Sequence, residues 1–552
     1  MVPEAPIDGT MPSVFPEDRS GDFTFTRGSN LAATRVASNG LIEKGRENLF
    51  TYSQDFRDAA GWLVSNATKV SITETDPNGG STAANITWTS GSDRYFYKNI
   101  TQGNVLTTSF YIKSNGGGNK FRLFGDGAND LSQDFTATNE WQRFEFFFER
   151  GSGQGVGITN ASDNSAADLI VAFAQVEAGL VATSYIESVA TTGKAGLLEN
   201  EPRIDFTGGG CGSLLLEPQR TNLITQSEYF GSATWGKQNS IGVNTNSHLS
   251  PEGIQNATEL DGFDSSNFQS VIQYITLSDG TYTFSVFLKK TTGALTHYPA
   301  VVMGSVYKYV IVNSTTGTYA EATGTNDNNS VTIESWDDNW WRVSLTNTLS
   351  AGAQRFAIYP SLSANGTGIT TNASGTNTFF GAQLEAGSYP TSYIPTYGSS
   401  VTRSAPSLSK YDLIDSTSQT LFIEYGKTGY TGGGGEIIFE KTNPVAAIFR
   451  IYFEVDNSGT DNSRVRFRTE FPATNNDYNL GNKDEYKKIA LSIDRDTAKF
   501  FGNGVLLGQF SVTSTVLEQL NVRMQSSKYS TKQLILFPTA LTDEECSALT
   551  QP

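Results

Sequence analysis

Chemistry at a protein site needs nucleophiles, acid–base pairs or metal ligands at set spacings, and this chain of 552 residues offers few of them. Its only histidines are His248 and His297, and its only cysteines are Cys211 and Cys546. That scarcity argues against Ser-His-Asp triads, HExxH zinc sites and other histidine-based acid–base chemistry. The cysteines fall in different expected domains, so a structural disulfide is not expected, which fits synthesis in a reducing cytosol. Glu177 and Glu385 occupy matching positions beside a Gln and a Gly. In separate domains they cannot approach to the ~5–10 Å of a glycosidase pair. Each is expected instead to accept backbone N–H bonds at a turn, while Arg46 with Glu43 and Arg220 with Glu217 read as turn-fixing ion pairs. No catalytic residue is assigned, and the expectation is a protein that is not an enzyme.

Binding residues are easier to nominate. Asp456-Asn457-Ser458-Gly459-Thr460-Asp461-Asn462 gathers hard oxygens on one loop. Asp456 and Asp461 are therefore candidate Ca²⁺ ligands, although the loop lacks the spacing and final Glu of an EF-hand and reads first as a hairpin turn. No other cofactor is expected. Gly208-Gly209-Gly210 and the run Gly432 to Gly435 lead into no Lys-Ser/Thr and helix, so they are a linker and a loop rather than phosphate cradles. Aromatic rings bury the apolar face of a sugar. Trp341, Tyr430 beside the glycine run, and Asn457 are accordingly the candidate carbohydrate-binding residues. Trp141 and Trp340 recur at matched places and are expected in the core. Trp341, opposite Gln142 in the other copy, is expected to face outward.

Those matched places come from an internal duplication. Arg46-Glu47-Asn48-Leu49-Phe50 recurs as Arg220-Thr221-Asn222-Leu223-Ile224, at an offset of 174 residues. Ser109-Phe110-Tyr111-Ile112-Lys113 recurs as Ser285-Val286-Phe287-Leu288-Lys289, offset 176. Trp141-Gln142-Arg143 recurs as Trp340-Trp341-Arg342, offset 199, and Ala174-Gln175-Val176-Glu177-Ala178-Gly179 as Ala382-Gln383-Leu384-Glu385-Ala386-Gly387, offset 208. The second copy thus carries 34 extra residues, which belong in loops, where insertion is tolerated. Within each copy the hydrophobic period is two. Tyr282, Phe284, Val286 and Leu288 share one face, and polar turn clusters separate the runs. Strands without intervening helices predict an antiparallel β-sandwich of the jelly-roll kind in each copy.

From about Ser404 a third set of strands begins, including Thr420–Tyr425, Lys488–Asp494 and a hairpin turning at Asn503-Gly504. Thr542 and Glu545 form a capping box for a short C-terminal helix. The fold class is therefore all-β: three antiparallel β-sandwiches in tandem behind an extended N-terminal arm. The expected limits are an arm over 1–45, jelly-rolls over 46–195 and 215–403, a linker over 196–214 and the third sandwich over 404–552. Pro3, Pro6, Pro12 and Pro16 keep the arm from forming a helix or a central strand. A net charge of −17 opposes nucleic-acid binding. No apolar run reaches the ~18 residues of a membrane span, so membrane insertion is not expected. The first residues carry neither the basic flank nor the apolar stretch of a secretory signal.

Several of these motifs carry a resemblance. Phe25-Thr26-Arg27-Gly28-Ser29, Gly40-Leu41-Ile42-Glu43 and Leu216-Glu217-Pro218-Gln219-Arg220-Thr221-Asn222-Leu223 resemble segments of bacteriophage virion proteins. Gly381 to Gly387, with Thr391-Ser392-Tyr393-Ile394, resembles the closing strand of carbohydrate-binding-module-like jelly-rolls in phage fibres, and Ala490 to Leu507 with Leu536 to Leu549 resembles laminin-G/concanavalin A-like domains. The resemblance implies a viral structural protein of the virion, assembled in the host cytoplasm. It would be a tail-fibre, head-fibre or spike component for non-catalytic, receptor-binding host attachment to a surface glycan. The arm would join other virion proteins, and a homotrimer is the expectation by analogy. A capsid-decoration or connector protein and a polysaccharide-degrading tailspike are the alternative readings.

Overall fold

The computed structural model describes residues 24–552 other than 29–30, 58–59, 200, 208–211, 306–307, 323–329, 364–371, 412–417, 428–435, 444–445, 456–461, 471–472, 483–486, 512–518, 523–528 and 538. Among the described residues the only α-helix is Asp543–Leu549, whose Thr542–Glu545 capping box is formed as the sequence requires. Strand content follows from the period-two pattern. Tyr282, Phe284, Val286 and Leu288 all point into one core, while Phe287 between them points away from it.

The two copies fold as jelly-rolls with one plan. In the first, Val105–Ser114 lies between Gln142–Glu149 and Ala167–Ala178, with Ala83–Trp88 and Thr68–Glu74 completing that sheet. In the second, Gly280–Lys289 lies between Trp340–Leu349 and Gly375–Ala386. A second antiparallel sheet closes each sandwich, built around Gly155–Asn160 in one and Gly352–Leu362 in the other. Each core centres on a fully buried tryptophan, Trp62 or Trp235, whose indole N–H donates to a backbone carbonyl, of Tyr52 or Gln226. Trp62 also stacks on Phe96 at 5.0 Å. Even the small two-stranded elements recur: Arg46–Asn48 pairs Gly193–Ala195, and Arg220–Asn222 pairs Val401–Arg403.

The third sandwich has two seven-stranded sheets, and it draws strands from outside residues 404–552. Thr24–Thr26 pairs with Ser407–Tyr411. Ile204–Asp205 pairs with Ser213–Leu216, which pairs with Tyr529–Phe537. The expected limits therefore need correction: the span 196–214 is no plain linker, and the end of the arm is folded onto the molecule itself. The physical reason is the edge of the sheet. Tyr529–Phe537 would otherwise present a row of unpaired N–H and C=O groups, and a segment upstream in sequence satisfies them. Cys546, free and buried against Phe422, Ala490 and Phe501, is part of this sandwich's apolar core.

Because three of its strands lie upstream, a fragment of residues 404–552 is expected to aggregate or melt well below the full chain. Supplying residues 201–217 by fusion should recover part of the loss. A monomeric fragment 404–552 melting cooperatively at the full chain's midpoint would contradict this pairing.

Candidate functional site

Beyond its closing strand each jelly-roll sends a strap back across the outer face of its own sheet, at Thr183–Ile186 and Thr391–Ile394. A buried set of polar side chains holds the strap. Asn48 donates to the carbonyls of Ala174 (3.0 Å) and Ile186 (2.8 Å) and accepts from the N–H groups of Phe50 and Val176. Asn222 makes the same four bonds to Ala382, Ile394, Ile224 and Leu384. Gln175 accepts the Ile186 N–H at 2.6 Å, and Gln383 the Ile394 N–H at 2.7 Å. Glu177 accepts the N–H and hydroxyl of Thr183, each at 2.7 Å, and Glu385 accepts the same two groups of Thr391. Burial pushes the Glu385 carboxyl up. Both glutamates thus have the turn-holding role expected of them.

Their arginine partners are not the expected ones. Arg46 reaches Glu177 (3.7 Å) and Glu252 (3.0 Å), and Arg220 reaches Glu385 (3.6 Å). Glu43 pairs instead with Arg35 at 2.7 Å, and Glu217 lies between Arg203 (2.7 Å) and Arg403 (2.9 Å). Sequence neighbours on a strand project to opposite faces or along the edge, so the partner is set by what packs above.

Here the two copies diverge. In the second sandwich Glu217 closes over the strap, accepting the Ser392 N–H at 2.8 Å and its hydroxyl at 2.5 Å. In the first, the matching Ile42–Lys44 strand has moved across to the second sandwich. The Ile42 N–H donates to Pro251, and its side chain packs on Phe287, Trp340, Phe380 and Tyr393. Lys44 enters a buried cluster with Glu228 (2.7 Å), Glu252 (2.7 Å) and the Tyr397 hydroxyl (2.5 Å). Burial pushes the Glu252 carboxyl and the Tyr397 phenol up. Ser184, the counterpart of Ser392, is left exposed.

What opens beside it is a cleft of about 670 Å³ between the first two sandwiches. Tyr111, Arg143, Thr183, Ser184 and Tyr185 form one wall, and Glu43, Arg46, Glu252 and Ile254 the other. Its volume is that of a small-molecule site. The wall is aromatic underneath. Phe173 stacks on Tyr185 at 4.7 Å and meets Tyr111 edge-on at 5.6 Å. The Tyr185 hydroxyl bonds Ser53 at 2.5 Å, and burial pushes its phenol up to about 12.

Phe173 occupies the left-handed region, with φ of 48°, at a bulge where the closing strand shifts register between Ala172 and Gln175. For a bulky side chain this is strained. The second sandwich has the same bulge but places Gly381 there, at φ of 65°. Strain therefore sits where the cleft is, and a relaxed glycine where the cleft is filled.

Of the residues nominated from sequence, Trp341 is described and is not in this cleft. It lies half-buried against the second sandwich's main core, donates its indole N–H to the Ser314 carbonyl at 2.8 Å and carries Lys290 at 4.2 Å from its ring centroid. Trp340 is buried as expected, in a core on the other face of the sheet with Ile42 and Tyr393. The alternation argument was sound, but it failed to foresee that strap and flank cover the outer face. Tyr430, Asn457, Asp456 and Asp461 lie outside the described residues. The cleft residues were missed individually, although two mismatches in the duplication, Phe173 against Gly381 and Tyr111 against Phe287, marked the place.

No protein family and no curated protein matches the sequence. Solved structures give distant likenesses. The carbohydrate-binding module CBM40 of Ruminococcus gnavus IT-sialidase, bound to α2,3 sialyllactose, is 16% identical, covering 24% of this chain and 83% of its own, with a TM-score of 0.20. The CBM22-1–CBM22-2 tandem of Paenibacillus barcinonensis Xyn10C is 11% identical over 65% of this chain and 99% of its own, TM-score 0.22. Trypanosoma rangeli sialidase is 9% identical over 98% of this chain and 96% of its own, TM-score 0.19. Likenesses at this level assign no activity. They do correct one expectation: the neighbours are carbohydrate-binding modules and sialidases rather than virion proteins. The virion surface role, in its fibre, decoration and tailspike forms, is withdrawn.

Two substitutions test this geometry. Lys44→Met strands Glu228 and Glu252 in the junction, and a loss of about 3–5 kcal/mol is expected by denaturant titration, with the first two sandwiches unfolding in separate transitions. At position 173, Gly normally costs a strand more than Ala. Here Phe173→Gly is expected to be more stable than Phe173→Ala by about 1 kcal/mol, because only glycine relaxes at positive φ. The ordinary order would remove the argument for strain.

Proposed function

We propose that the chain is a glycan-binding protein whose ligand enters the cleft of the first sandwich and leaves unaltered. The observation that carries this is the cleft itself: an open, aromatic-floored and polar-walled pocket at the position that the duplicated sandwich has closed with its own side chains. A pyranose presents an apolar face and a rim of hydroxyls. Tyr111 and Tyr185 supply apolar surface for the first, and Arg143, Thr183 and Ser184 supply donors and acceptors for the second. The pocket is preformed, held by the Asn48, Gln175 and Glu177 bonds, so little ordering is lost on binding. The third sandwich, with its likeness to laminin-G/concanavalin A-like lectins, is read as a further carbohydrate-binding unit.

The full chain, screened on an array of plant, bacterial and animal glycans, is expected to retain at least one class. Tyr111→Ala should weaken that ligand about tenfold, equivalent to about 1.4 kcal/mol by calorimetry, with the thermal midpoint little changed. The bound glycan should be recovered intact by mass spectrometry. Retention of no glycan would overturn the proposal, and released fragments would replace binding by turnover.

A further inference from the structure

We infer that the cleft selects glycans bearing an anionic substituent, a carboxylate or a sulfate, and that Arg143 receives it; this rests on the glycan-binding reading above. Arg143 stands on Gln142–Glu149 opposite Tyr111, with its guanidinium 5.7 Å from that ring's centroid. Its hydrogen bonds go to one neutral group, the Ser109 hydroxyl, from Nε at 3.3 Å and Nη2 at 2.9 Å. Among the described residues it forms no ion pair, in a chain where 56 acidic side chains face 39 basic ones.

The carboxylates around it are already engaged. Glu43 holds Arg35, Glu252 holds Lys44 and Arg46, and Glu177 holds Thr183. Glu145, two residues along the same face, accepts the Ala182 N–H at 3.1 Å. The duplication supplies an internal comparison. Arg342, at the matching position, is 2% exposed and donates to the Thr391 carbonyl at 2.7 Å as well as to Ser285 at 3.3 Å. Arg143 keeps the serine contact without the carbonyl one and turns its remaining donors to the cleft. The serine fixes the plane of the guanidinium, and a planar fork with free N–H groups matches a carboxylate or sulfate. A cation at an open site, with no counter-ion among the described residues, is what an anionic ligand requires.

Calorimetry on the full chain decides this, with three probes of similar length: an oligogalacturonate, a sulfated glucan oligomer and the neutral glucan oligomer. At least one anionic probe is expected to bind ten times more tightly than the neutral one, more weakly as salt is raised. The stronger of the two identifies carboxylate or sulfate as the preferred group. Arg143→Gln should bring anionic and neutral affinities to within about twofold. Arg143→Lys, which keeps the charge without the fork, should lie between. Equal affinity for neutral and anionic probes, or an anionic preference surviving Arg143→Gln in a protein with an unchanged melting curve, would overturn the inference and leave glycan binding standing. Failure of every glycan, on the array as well, would remove both.

Discussion

A strap laid across the outer face of a β-sheet carries backbone N–H and C=O groups that no strand ladder satisfies, and burying them unpaired would cost on the order of 1–3 kcal/mol each. Both jelly-rolls meet that constraint in the same way. One asparagine bonds four backbone groups, a glutamine ties down the strap's isoleucine N–H, and a glutamate takes the threonine ahead of it. These side chains are fully or almost fully buried, so each bond is made where water cannot replace it. The motifs Arg-x-Asn-Leu and Ala-Gln-x-Glu-Ala-Gly survive in both copies because they perform this task. Everything above the strap is then free to differ.

The difference lies in the use of the preceding strand. In the second sandwich that strand, Ser213–Leu216, pairs with the third sandwich, and Glu217 just after it seals Ser392. In the first it crosses to the neighbouring sandwich and becomes part of its outer cover. One consequence is mechanical: Lys44, just before the first repeat, and Arg46, at its start, are locked into carboxylates of the second. The other is an opening of ligand size. The cleft opens where the first two sandwiches are joined, and the strained Phe173 packs beneath Tyr111 and Tyr185 of its wall.

Charge is handled by the same economy. The acidic chain buries its carboxylates beside cations at the junctions, as with Glu217 between Arg203 and Arg403, where burial lowers Arg403 to about 10. Such clusters fix geometry more than they add stability, because desolvation offsets much of the attraction. An arginine that forms no ion pair among the described residues stands out at the cleft against this background.

All-β character, the duplication, its strand periods, the capping box and the turn-holding glutamates were legible in the sequence, because each is a local pattern or a pattern repeated against itself. Partner choice was not. Which carboxylate Arg46 meets, which core Trp341 enters and which sheet receives Ser213–Leu216 depend on segments brought together from distant parts of the chain. The amino-acid sequence by itself determined two matched sandwiches and a third. Only the tertiary structure decided that one of the matched pair stays open, because that depends on where a three-residue strand docks, and the docking energy comes from burial against a different domain.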